Sequence, residues 1–390
     1  MSIPGLEGFL KLEEFLRHKP LFYAEIDYTR MPKVWKSIQS HFVLPKIIHL
    51  VGTNGKGSTG RFLSHALYKK GFKVGHYSSP HILKFNERIW LDGEDVSDAR
   101  LEEAHIKLYL YLSESFRDSL SYFEYTTLLA MLVYEGCDYV VFEAGLGGEY
   151  DATAVFDNLL TLVTPIDMDH IDFLGEDIST IARTKLNAIQ TFAILAKQPQ
   201  KEVYQVAQKL AISKGVEIFR VAQFFTQEEV LGMETFIKSK RFPLFLANNL
   251  MLAMSAMKYL GLELNLDDLK DIVLFGRCQK ISAHVTLDVG HNALAAKALL
   301  SHFQDQKVHL IFNSFADKNY EETLQILKPA IQIIEIIPIL NERIEKIDNL
   351  TKVIEKLEIP YKMFDGVQEE IDYLVFGSFT VVETFLKKYG

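Results

Sequence analysis

A glycine-rich segment with one lysine and two hydroxyl residues has the composition of a nucleotide phosphate loop. Residues Gly52–Thr59 read G-T-N-G-K-G-S-T and lie between an apolar run and a helical pattern. In such a place backbone N–H groups can surround phosphate oxygens while the helix N-terminus adds partial positive charge. Lys56 would lie against the terminal phosphates. The strict phosphate-loop pattern is not met, because Leu50 stands where its first glycine would be and Gly57 follows the lysine. A plain strand-to-helix turn is the alternative interpretation.

The elements that must position this loop follow from an alternation of apolar runs and helical patterns. Strands are predicted at Ile47–Val51, Val74–Tyr77, Tyr139–Glu143, Leu160–Thr164, Ala193–Ala196 and Val216–Phe219. Helices are predicted at Glu7–His18, Met31–His41, Arg61–Lys70, Ala99–Phe116, Tyr125–Tyr134 and Leu246–Leu260. Short apolar runs separated by helical stretches indicate a mainly parallel sheet that is covered on both faces.

A second alternating series begins near Gly276. Its strands are predicted at Val285–Asp288, Val308–Phe312, Ile331–Ile336 and Tyr373–Phe376, and its last helix at Val381–Tyr389. Between the two series, residues 223–240 are more polar and are expected to be less regular. A chain of 390 residues exceeds the usual size of a single hydrophobic core. We therefore predict an α/β protein of two domains with a boundary near Phe275.

The bulk composition excludes several classes of function. The net charge of −9 provides no broad basic field, so a nucleic-acid partner is not expected. Two cysteines far apart in sequence, Cys137 and Cys278, fit a reducing compartment better than a disulfide framework. Met1–Leu6 does not begin a signal peptide, and no window approaches the roughly 20 apolar residues of a membrane span. We expect a soluble, cytoplasmic protein without membrane partners.

Seven further segments carry a resemblance to one enzyme family. They read S-S-P-H-I-L-K-F-N-E-R-I at 78–89, F-E-Y-T-T-L-L-A at 123–130, E-A-G-L-G-G-E-Y-D-A-T at 143–153, D-H-I-D-F-L-G at 169–175, I-A-R-T-K at 181–185, D-V-G-H-N at 288–292 and D-K at 317–318. In this order and spacing they resemble the folylpolyglutamate synthase/dihydrofolate synthase family of the Mur ligase superfamily. The resemblance runs from about Ile47 to the C-terminus.

This resemblance implies an ATP-dependent ligase that joins glutamate to a folate-type carboxylate through an acyl phosphate. Residues 1–275 would form a P-loop domain that binds ATP and folate, and residues 276–390 a smaller Rossmann-like glutamate ligase domain. The substrates would be ATP, glutamate and dihydropteroate or a reduced folate, and the protein is expected to be a monomer. No covalent enzyme intermediate is needed, so positioning and charge neutralisation would be the protein's tasks.

The resemblance also assigns residues to each part of the site. ATP would contact Thr53, Asn54, Gly55, Lys56, Gly57, Ser58, Thr59, Asn249, Arg277, Asp288 and His291. Two Mg²⁺ ions would be bound by Ser79, Glu143, His170 and Lys185, the last as a carbamate, because an unmodified amine has no lone pair to offer while protonated. Lys56, His170 and Lys185 would act in catalysis. The folate side would involve Phe123, Asp151, Ala152 and Thr153.

Several residues depart from the family pattern. Glu149 stands where arginine is usual, Ala154 where asparagine is usual, and Thr184 where an acidic residue precedes the lysine. The segment at 288–292 has V-G in place of G-A, and the usual His-Gln pair upstream of Asn249 is absent. These changes affect the predicted folate and adenine pockets and leave the predicted metal ligands in place.

Two alternative functions remain at this stage. A Mur-type ligase would add an amino acid to a cell-wall nucleotide precursor with the same chemistry. A nucleotide-binding regulatory module would lack ligase activity, although the lysine and the predicted metal ligands argue against it. Whether one chain uses both dihydropteroate and reduced folate does not follow from the residues.

Overall fold

The computed structural model describes residues 9–21, 27–169, 171–303 and 306–389. The chain divides into two compact units. The first combines Met1–Phe225 with Asn249–Lys270, and the second combines Thr226–Asn248 with Asp271–Gly390. The boundary that the sequence predicts near Phe275, and the roles assigned to its two sides, stay predictions.

The first unit contains a sheet with six parallel strands and two antiparallel strands at one edge. In chain order the strands are β1 Lys46–Val51, β2 Val74–Tyr77, β3 Ile89–Leu91, β4 Glu94–Asp95, β5 Tyr139–Glu143, β6 Leu160–Val163, β7 Phe192–Leu195 and β8 Glu217–Arg220. Their spatial order is β4-β3-β2-β5-β1-β6-β7-β8. Only the β2–β3 and β3–β4 pairs are antiparallel. The predicted mainly parallel sheet is confirmed, whereas the short edge strands β3 and β4 were not predicted.

Helices follow most of these strands. The helices up to the start of the second series are α1 Leu12–Arg17, α2 Arg30–Ile38, α3 Lys56–Lys69, α4 Asp98–Tyr111, α5 Glu114–Ser119, α6 Tyr122–Val133, α7 Ile171–Leu174, α8 Ile178–Leu186, α9 Lys201–Lys214, α10 Gln227–Ser239 and α11 Phe245–Tyr259. Short 3₁₀ turns occur at Gln39–His41, Phe85–Arg88, Ala152–Val155, Val221–Phe224, Leu266–Leu269 and Lys328–Ala330. The first predicted helix begins at Glu7, which lies outside the described residues.

Two helix predictions were wrong for local reasons. The single helix predicted over residues 99–116 is broken, because Leu112 and Ser113 are extended and the Ser113 hydroxyl accepts from the Phe116 N–H to begin α5. The segment expected to be irregular contains α10. A capping box begins this helix: Thr226 and Glu229 each accept, through the side chain, from the backbone N–H of the other.

The second unit has its own sheet. Its strands are β9 Gln279–Lys280, β10 Val285–Leu287, β11 Val308–Phe312, β12 Ile331–Ile336, β13 Tyr361–Met363 and β14 Tyr373–Phe376. Their order is β13-β12-β11-β14-β10-β9, and only β9 is antiparallel to its neighbour. The helices of this series are α12 Ala293–His302, α13 Tyr320–Leu327, α14 Ile347–Lys356 and α15 Phe379–Tyr389. The predicted α/β class is therefore confirmed in both units.

Apolar clusters support the centre of the first sheet. One contains Ile47, Tyr77, Phe142 and Phe156, each at most 1% exposed, and packs with α2, α4 and α6. Another contains Val51, Val163 and Leu195 and packs with α8 and α9. Burial of each such side chain contributes roughly 1.5–3 kcal/mol. In the described residues, no helix is long and apolar enough to cross a membrane.

Candidate active site

The phosphate-loop segment joins the end of β1 to the start of α3 and depends on two glycines. Gly52 has φ +140°, and a Cβ atom there would lie 2.0 Å from Thr164 Oγ1. Gly55 has φ +93°, and its Cβ would lie 2.7 Å from Asn249 Oδ1. Both positions therefore require glycine, for backbone conformation and for close packing. The first helical residue is Lys56, so the loop delivers this lysine to the helix N-terminus.

Side chains on either side fix this loop. The Thr53 hydroxyl donates to Asp167 O at 3.0 Å, and the Asp167 N–H lies 3.1 Å from the same hydroxyl. Asn249 Nδ2 donates to Ser58 Oγ at 2.8 Å. Thr59 is fully buried, so its hydroxyl does not face solvent. The structure thus places the predicted residues 53–59 and Asn249 together, with Asn249 supporting the loop from behind Gly55.

Two lysines and a glutamate meet at the beginning of the loop. Lys56 Nζ lies 3.2 Å from the carbonyl oxygens of Gly52 and Thr53. Lys185 Nζ donates to the same Gly52 oxygen at 3.0 Å. Glu143 Oε1 lies 3.9 Å from Lys56 Nζ. Three predicted site residues that are far apart in sequence therefore converge on one edge of the sheet, at the carboxyl ends of β1 and β5, where open α/β sheets bind ligands.

Lys185 is a buried amine. It lies near the end of α8, whose N-terminus is capped by Asp177, and it is 4% exposed. Burial, and then the nearby charge of Lys56, lower its pKa to about 7 against the opposing attraction of Asp169 and Asp151. A substantial share of this side chain is therefore the uncharged amine near neutral pH.

The predicted metal ligands are partly placed by the structure. Glu143 is the last residue of β5 and is 6% exposed. Ser79 follows β2, the strand beside β5, so both residues belong to the same edge of the sheet. His170 lies outside the described residues. A carboxylate and a hydroxyl are hard oxygen donors that fit Mg²⁺, which keeps several waters and needs few protein ligands. Within the described residues, no group of three His, Cys, Asp or Glu side chains could hold a metal ion.

The segment predicted to contact folate is an internally bonded loop. Asp151 Oδ2 accepts from the N–H groups of Gly145 and Leu146, both at 2.9 Å. Asp151 Oδ1 accepts from Thr153 N at 3.0 Å and Thr153 Oγ1 at 2.6 Å. Burial raises the pKa of Asp151, and these four hydrogen bonds oppose that rise. A direct contact between this carboxylate and a ligand would have to compete with them.

Exposure separates the predicted folate-side residues. Asp151, Ala152 and Thr153 are at most 7% exposed, whereas Phe123 is half-buried. The Phe123 ring lies so close to Gly145 that a Cβ there would approach Cζ to 2.6 Å. The aromatic ring is thus the member of this set that could contact a ligand face, and the other three residues shape the loop below it.

Two of the residues that depart from the family pattern, Glu149 and Thr184, lie together on the neighbouring backbone. Glu149 Oε2 accepts from Asn187 Nδ2 at 2.7 Å, and Glu149 N donates to Thr184 O at 2.9 Å. The Thr184 hydroxyl donates to Thr180 O within α8. Ala154 follows Thr153 in the 3₁₀ turn. Glu149 is therefore held at the side of the folate-side loop by the end of α8.

The second unit holds the remaining predicted nucleotide residues. Asp288 accepts from Cys278 N at 2.9 Å and Gly290 N at 2.7 Å, and burial raises its pKa while the charge of Arg277 opposes the rise. The Arg277 guanidinium lies 5.3 Å from the centre of the Phe379 ring. His291 Nδ1 is 3.3 Å from Val289 O. Arg277, Asp288 and His291 thus surround one turn of this unit.

One buried residue near the site was missed by the sequence analysis. His49 lies in β1, is 1% exposed, and its Nε2 is 2.8 Å from Thr153 Oγ1. The available signal was a single imidazole in the otherwise apolar run I-I-H-L-V. A polar side chain in such a strand is costly to bury unless it has a partner.

Several relatives of this chain are named dihydrofolate synthase/folylpolyglutamate synthase. No family model matches the chain. The dihydrofolate synthase/folylpolyglutamate synthase of Buchnera aphidicola subsp. Schizaphis graminum is 31% identical over 373 residues, with 86% of each chain covered. The Escherichia coli protein of the same name is 32% identical over 308 residues, which cover 74% of this chain and 71% of the relative.

This chain belongs to the dihydrofolate synthase/folylpolyglutamate synthase family. Solved structures of family members have the same fold as this chain. Helicobacter pylori folylpolyglutamate synthetase is 39% identical with a TM-score of 0.78, and 98% of each chain is covered. E. coli FolC in complex with DHPP and ADP is 27% identical with a TM-score of 0.80 and the same coverage. The Yersinia pestis bifunctional folylpolyglutamate synthase/dihydrofolate synthase complexed with AMPPNP and Mn ion is 25% identical with a TM-score of 0.81, and 99% of each chain is covered.

Membership of this family confirms the resemblance seen in the seven segments. It also confirms the enzyme class predicted from them, an ATP-dependent ligase of the folylpolyglutamate synthase/dihydrofolate synthase type. Neither the Mur-type cell-wall ligase nor the non-catalytic module is retained. The roles of individual residues stay predictions, which the geometry above makes specific.

Proposed function

We propose that this single chain joins glutamate to both dihydropteroate and a reduced folate, using one phosphate site for the two reactions. Each reaction activates a carboxylate, on the benzoate ring in one case and on a glutamate side chain in the other. Support comes from the Y. pestis and E. coli relatives, whose names carry both activities. The single observation on which the proposal depends is the convergence of Lys56, Lys185 and Glu143 at Gly52.

The chemistry proceeds in two displacements. The acceptor carboxylate oxygen attacks the γ-phosphorus of ATP, the bond to the β-phosphate oxygen breaks, and acyl phosphate and ADP form. The uncharged amine of glutamate then attacks the acyl carbon, phosphate leaves, and the amine nitrogen loses a proton as the amide forms. An anionic carboxylate resists amine attack, so the first step supplies the leaving group that the second step needs.

The residues of the loop bind and orient the nucleotide in this proposal. The backbone N–H groups of residues 55–58 would face the phosphates, because those of Thr53 and Asn54 donate to Pro165 O and that of Thr59 donates to Gly55 O. Lys56 would exchange its contacts with Gly52 O and Thr53 O for phosphate oxygens. A preorganised cation at developing negative charge is worth several kcal/mol in a site that excludes water. In the second unit, Arg277, Asp288 and His291 would contact the nucleotide, with Asp288 also shaping the turn.

The metal positions follow from the donor set. We infer two Mg²⁺ sites, one held by Ser79, Glu143 and His170, and one held by a carbamate on Lys185. When bound, the ions would draw negative charge from the phosphate oxygens. The AMPPNP complex of the Y. pestis relative contains Mn, which supports a divalent ion beside the nucleotide. Lys185 could form the carbamate because its uncharged amine is available near neutral pH.

The test is ADP release from purified enzyme with ATP, Mg²⁺ and a panel of acceptors. We expect ADP release that requires glutamate together with either dihydropteroate or tetrahydrofolate. Absence of turnover with dihydropteroate would contradict the dual activity, and turnover with a uridine-linked cell-wall precursor would contradict the acceptor class. A monomeric, cytoplasmic enzyme without nucleic-acid or membrane partners stays a prediction of the sequence, and light scattering tests its oligomeric state.

A further inference from the structure

A buried chain of hydrogen bonds connects β1 to the loop that follows β5. It begins at His49 Nε2, which is 2.8 Å from Thr153 Oγ1. The Thr153 hydroxyl is 2.6 Å from Asp151 Oδ1, and Asp151 Oδ2 accepts from the N–H groups of Gly145 and Leu146. His49 and Thr153 are each 1% exposed, and Asp151 is 7% exposed. Residues from two separate parts of the sequence, β1 and the loop after β5, are therefore tied together away from solvent.

The direction of each hydrogen bond in this chain follows from the carboxylate of Asp151, the residue at its end. Asp151 receives four hydrogen bonds from N–H and O–H groups, the pattern of an ionised carboxylate that can only accept. The Thr153 hydroxyl must use its one proton for Asp151, so it accepts from His49. His49 is therefore the neutral tautomer with the proton on Nε2. Its buried Nδ1 has no hydrogen-bond partner among the described residues, which fits an unprotonated nitrogen.

The two ends of this chain lie beside the two halves of the candidate site. His49 is three residues before Gly52, where the phosphate loop begins. Gly145 is two residues after Glu143, and the Phe123 ring lies against it. A leucine or valine at position 49 would fill a buried strand without the cost of burying an imidazole. Because His49 makes its hydrogen bond to Thr153 in the folate-side loop, the benefit of the imidazole is expected there.

We propose that His49 is a positioning residue for the acceptor: its Nε2–H orients the Thr153 hydroxyl, and through Asp151 it holds Gly145 beneath the Phe123 ring. The inference rests on the proposed function, because it takes this loop to be the acceptor side of the site. His49 itself touches neither ATP nor acceptor in this proposal. Its loss should change acceptor binding while nucleotide binding is retained.

The test compares variants that keep or remove the donor. His49→Phe keeps an aromatic ring and removes the N–H, whereas His49→Gln keeps an N–H donor near the position of Nε2. Thr153→Val removes the hydroxyl at nearly constant volume, and Thr153→Ser retains it. His18→Gln, at an exposed histidine, is the matched control. The KM for dihydropteroate, the KM for ATP, kcat and the melting temperature are measured for each.

We expect His49→Phe and Thr153→Val each to raise the KM for dihydropteroate about tenfold, since a hydrogen bond in a charged network is worth about 1.5 kcal/mol or more. The KM for ATP should stay within about twofold. His49→Gln and Thr153→Ser should recover most of the loss. The double variant His49→Phe/Thr153→Val should have a KM for dihydropteroate no higher than that of the more impaired single variant, because both substitutions break the same connection.

Other outcomes overturn the inference. A lower melting temperature with both KM values unchanged would show a purely structural role, and equal rises in the two KM values would show a general distortion of the site. If His49→Phe does not fold, Thr153→Val gives the same comparison. Absence of dihydropteroate turnover by the wild-type enzyme would instead contradict the proposed function, so the two failures are distinguishable.

Discussion

The side-chain amines of Lys56 and Lys185 donate to one carbonyl oxygen, that of Gly52, at 3.2 and 3.0 Å. The first lysine begins α3 and the second lies near the end of α8. Two ammonium groups at one acceptor repel each other, and this repulsion adds to burial in lowering the pKa of Lys185 to about 7. The pair can therefore perform different tasks, with Lys56 as the cation and Lys185 as the reactive amine.

Replacement of Lys56 by alanine should lower kcat by about a hundredfold or more, because one preorganised contact to a transferring phosphoryl group is worth about 2.7–4 kcal/mol. The protein should remain folded, since Asn249 and Thr53 still hold the loop. Steady-state kinetics and circular dichroism check this expectation. Lys209→Ala, at an exposed position of α9, should have wild-type turnover. Near-wild-type turnover of folded Lys56→Ala would exclude the phosphate role.

Lys185 should carry a carbamate in the active enzyme. The uncharged amine adds to CO₂ and releases one proton, and the product nitrogen keeps an N–H that can still donate to Gly52 O. Enzyme equilibrated with ¹³C-bicarbonate should give a protein-bound carbamate resonance in ¹³C NMR spectra. Lys185→Arg should lack this resonance, whereas Lys209→Arg should retain it. A fully active enzyme with no such resonance would refute the modification.

Glu149 should limit the use of acceptors with long anionic tails. Its carboxylate is held by Asn187 beside the folate-side loop, so added glutamates would approach a like charge. We expect kcat/KM for tetrahydrofolate triglutamate to be lower than for the monoglutamate. Glu149→Arg should raise the triglutamate value about fivefold, because reversal of one partly screened charge is worth about 1 kcal/mol.

The control for this charge effect is Glu217→Arg, at an exposed position of β8. This variant should leave kcat/KM unchanged for both the monoglutamate and the triglutamate. Added salt should reduce the difference in kcat/KM between the monoglutamate and the triglutamate, since salt screens charges that solvent reaches. Equal kcat/KM values for the mono- and triglutamate in the wild-type enzyme would rule out this role of Glu149.

His49 should make the stability of the protein depend on pH below about 6.5. Burial lowers its pKa to about 4, from the ordinary value of 6.5. Between these values the unfolded state binds the proton that the folded state excludes, so the free energy of unfolding falls as the pH falls. The full effect is on the order of 3 kcal/mol, because each pKa unit corresponds to about 1.4 kcal/mol.

Urea unfolding at pH 7.0, 5.5 and 4.5 measures this dependence. His49→Gln should lose less stability on acidification than the wild-type protein, whereas His18→Gln should follow the wild type. An identical loss in His49→Gln and the wild type would show that His49 is not excluded from protonation by the fold.

Local patterns in the sequence were sufficient for the elements around the phosphate loop. The apolar run before Gly52 and the helical pattern after the loop are set by neighbouring residues, and both elements are present, although the helix predicted from Arg61 begins at Lys56. Local patterns also contained signals that were not used. Thr226 and Glu229 have the spacing of a capping box, which begins the helix α10 that was expected to be irregular. Ser113, a favourable N-cap residue, similarly begins the separate helix α5.

By itself, the sequence determined the α/β class, the phosphate loop and, through seven ordered segments, the family. Only the tertiary structure decided which side chains meet. Lys185 reaches Gly52 across 133 positions, and His49 reaches Thr153 across 104. The four hydrogen bonds to Asp151 likewise depend on how its loop folds back after β5. The physical reason is that helix and strand propensities act over a few residues, whereas burial, pKa shifts and hydrogen-bond partners depend on strands that the folded sheet brings side by side.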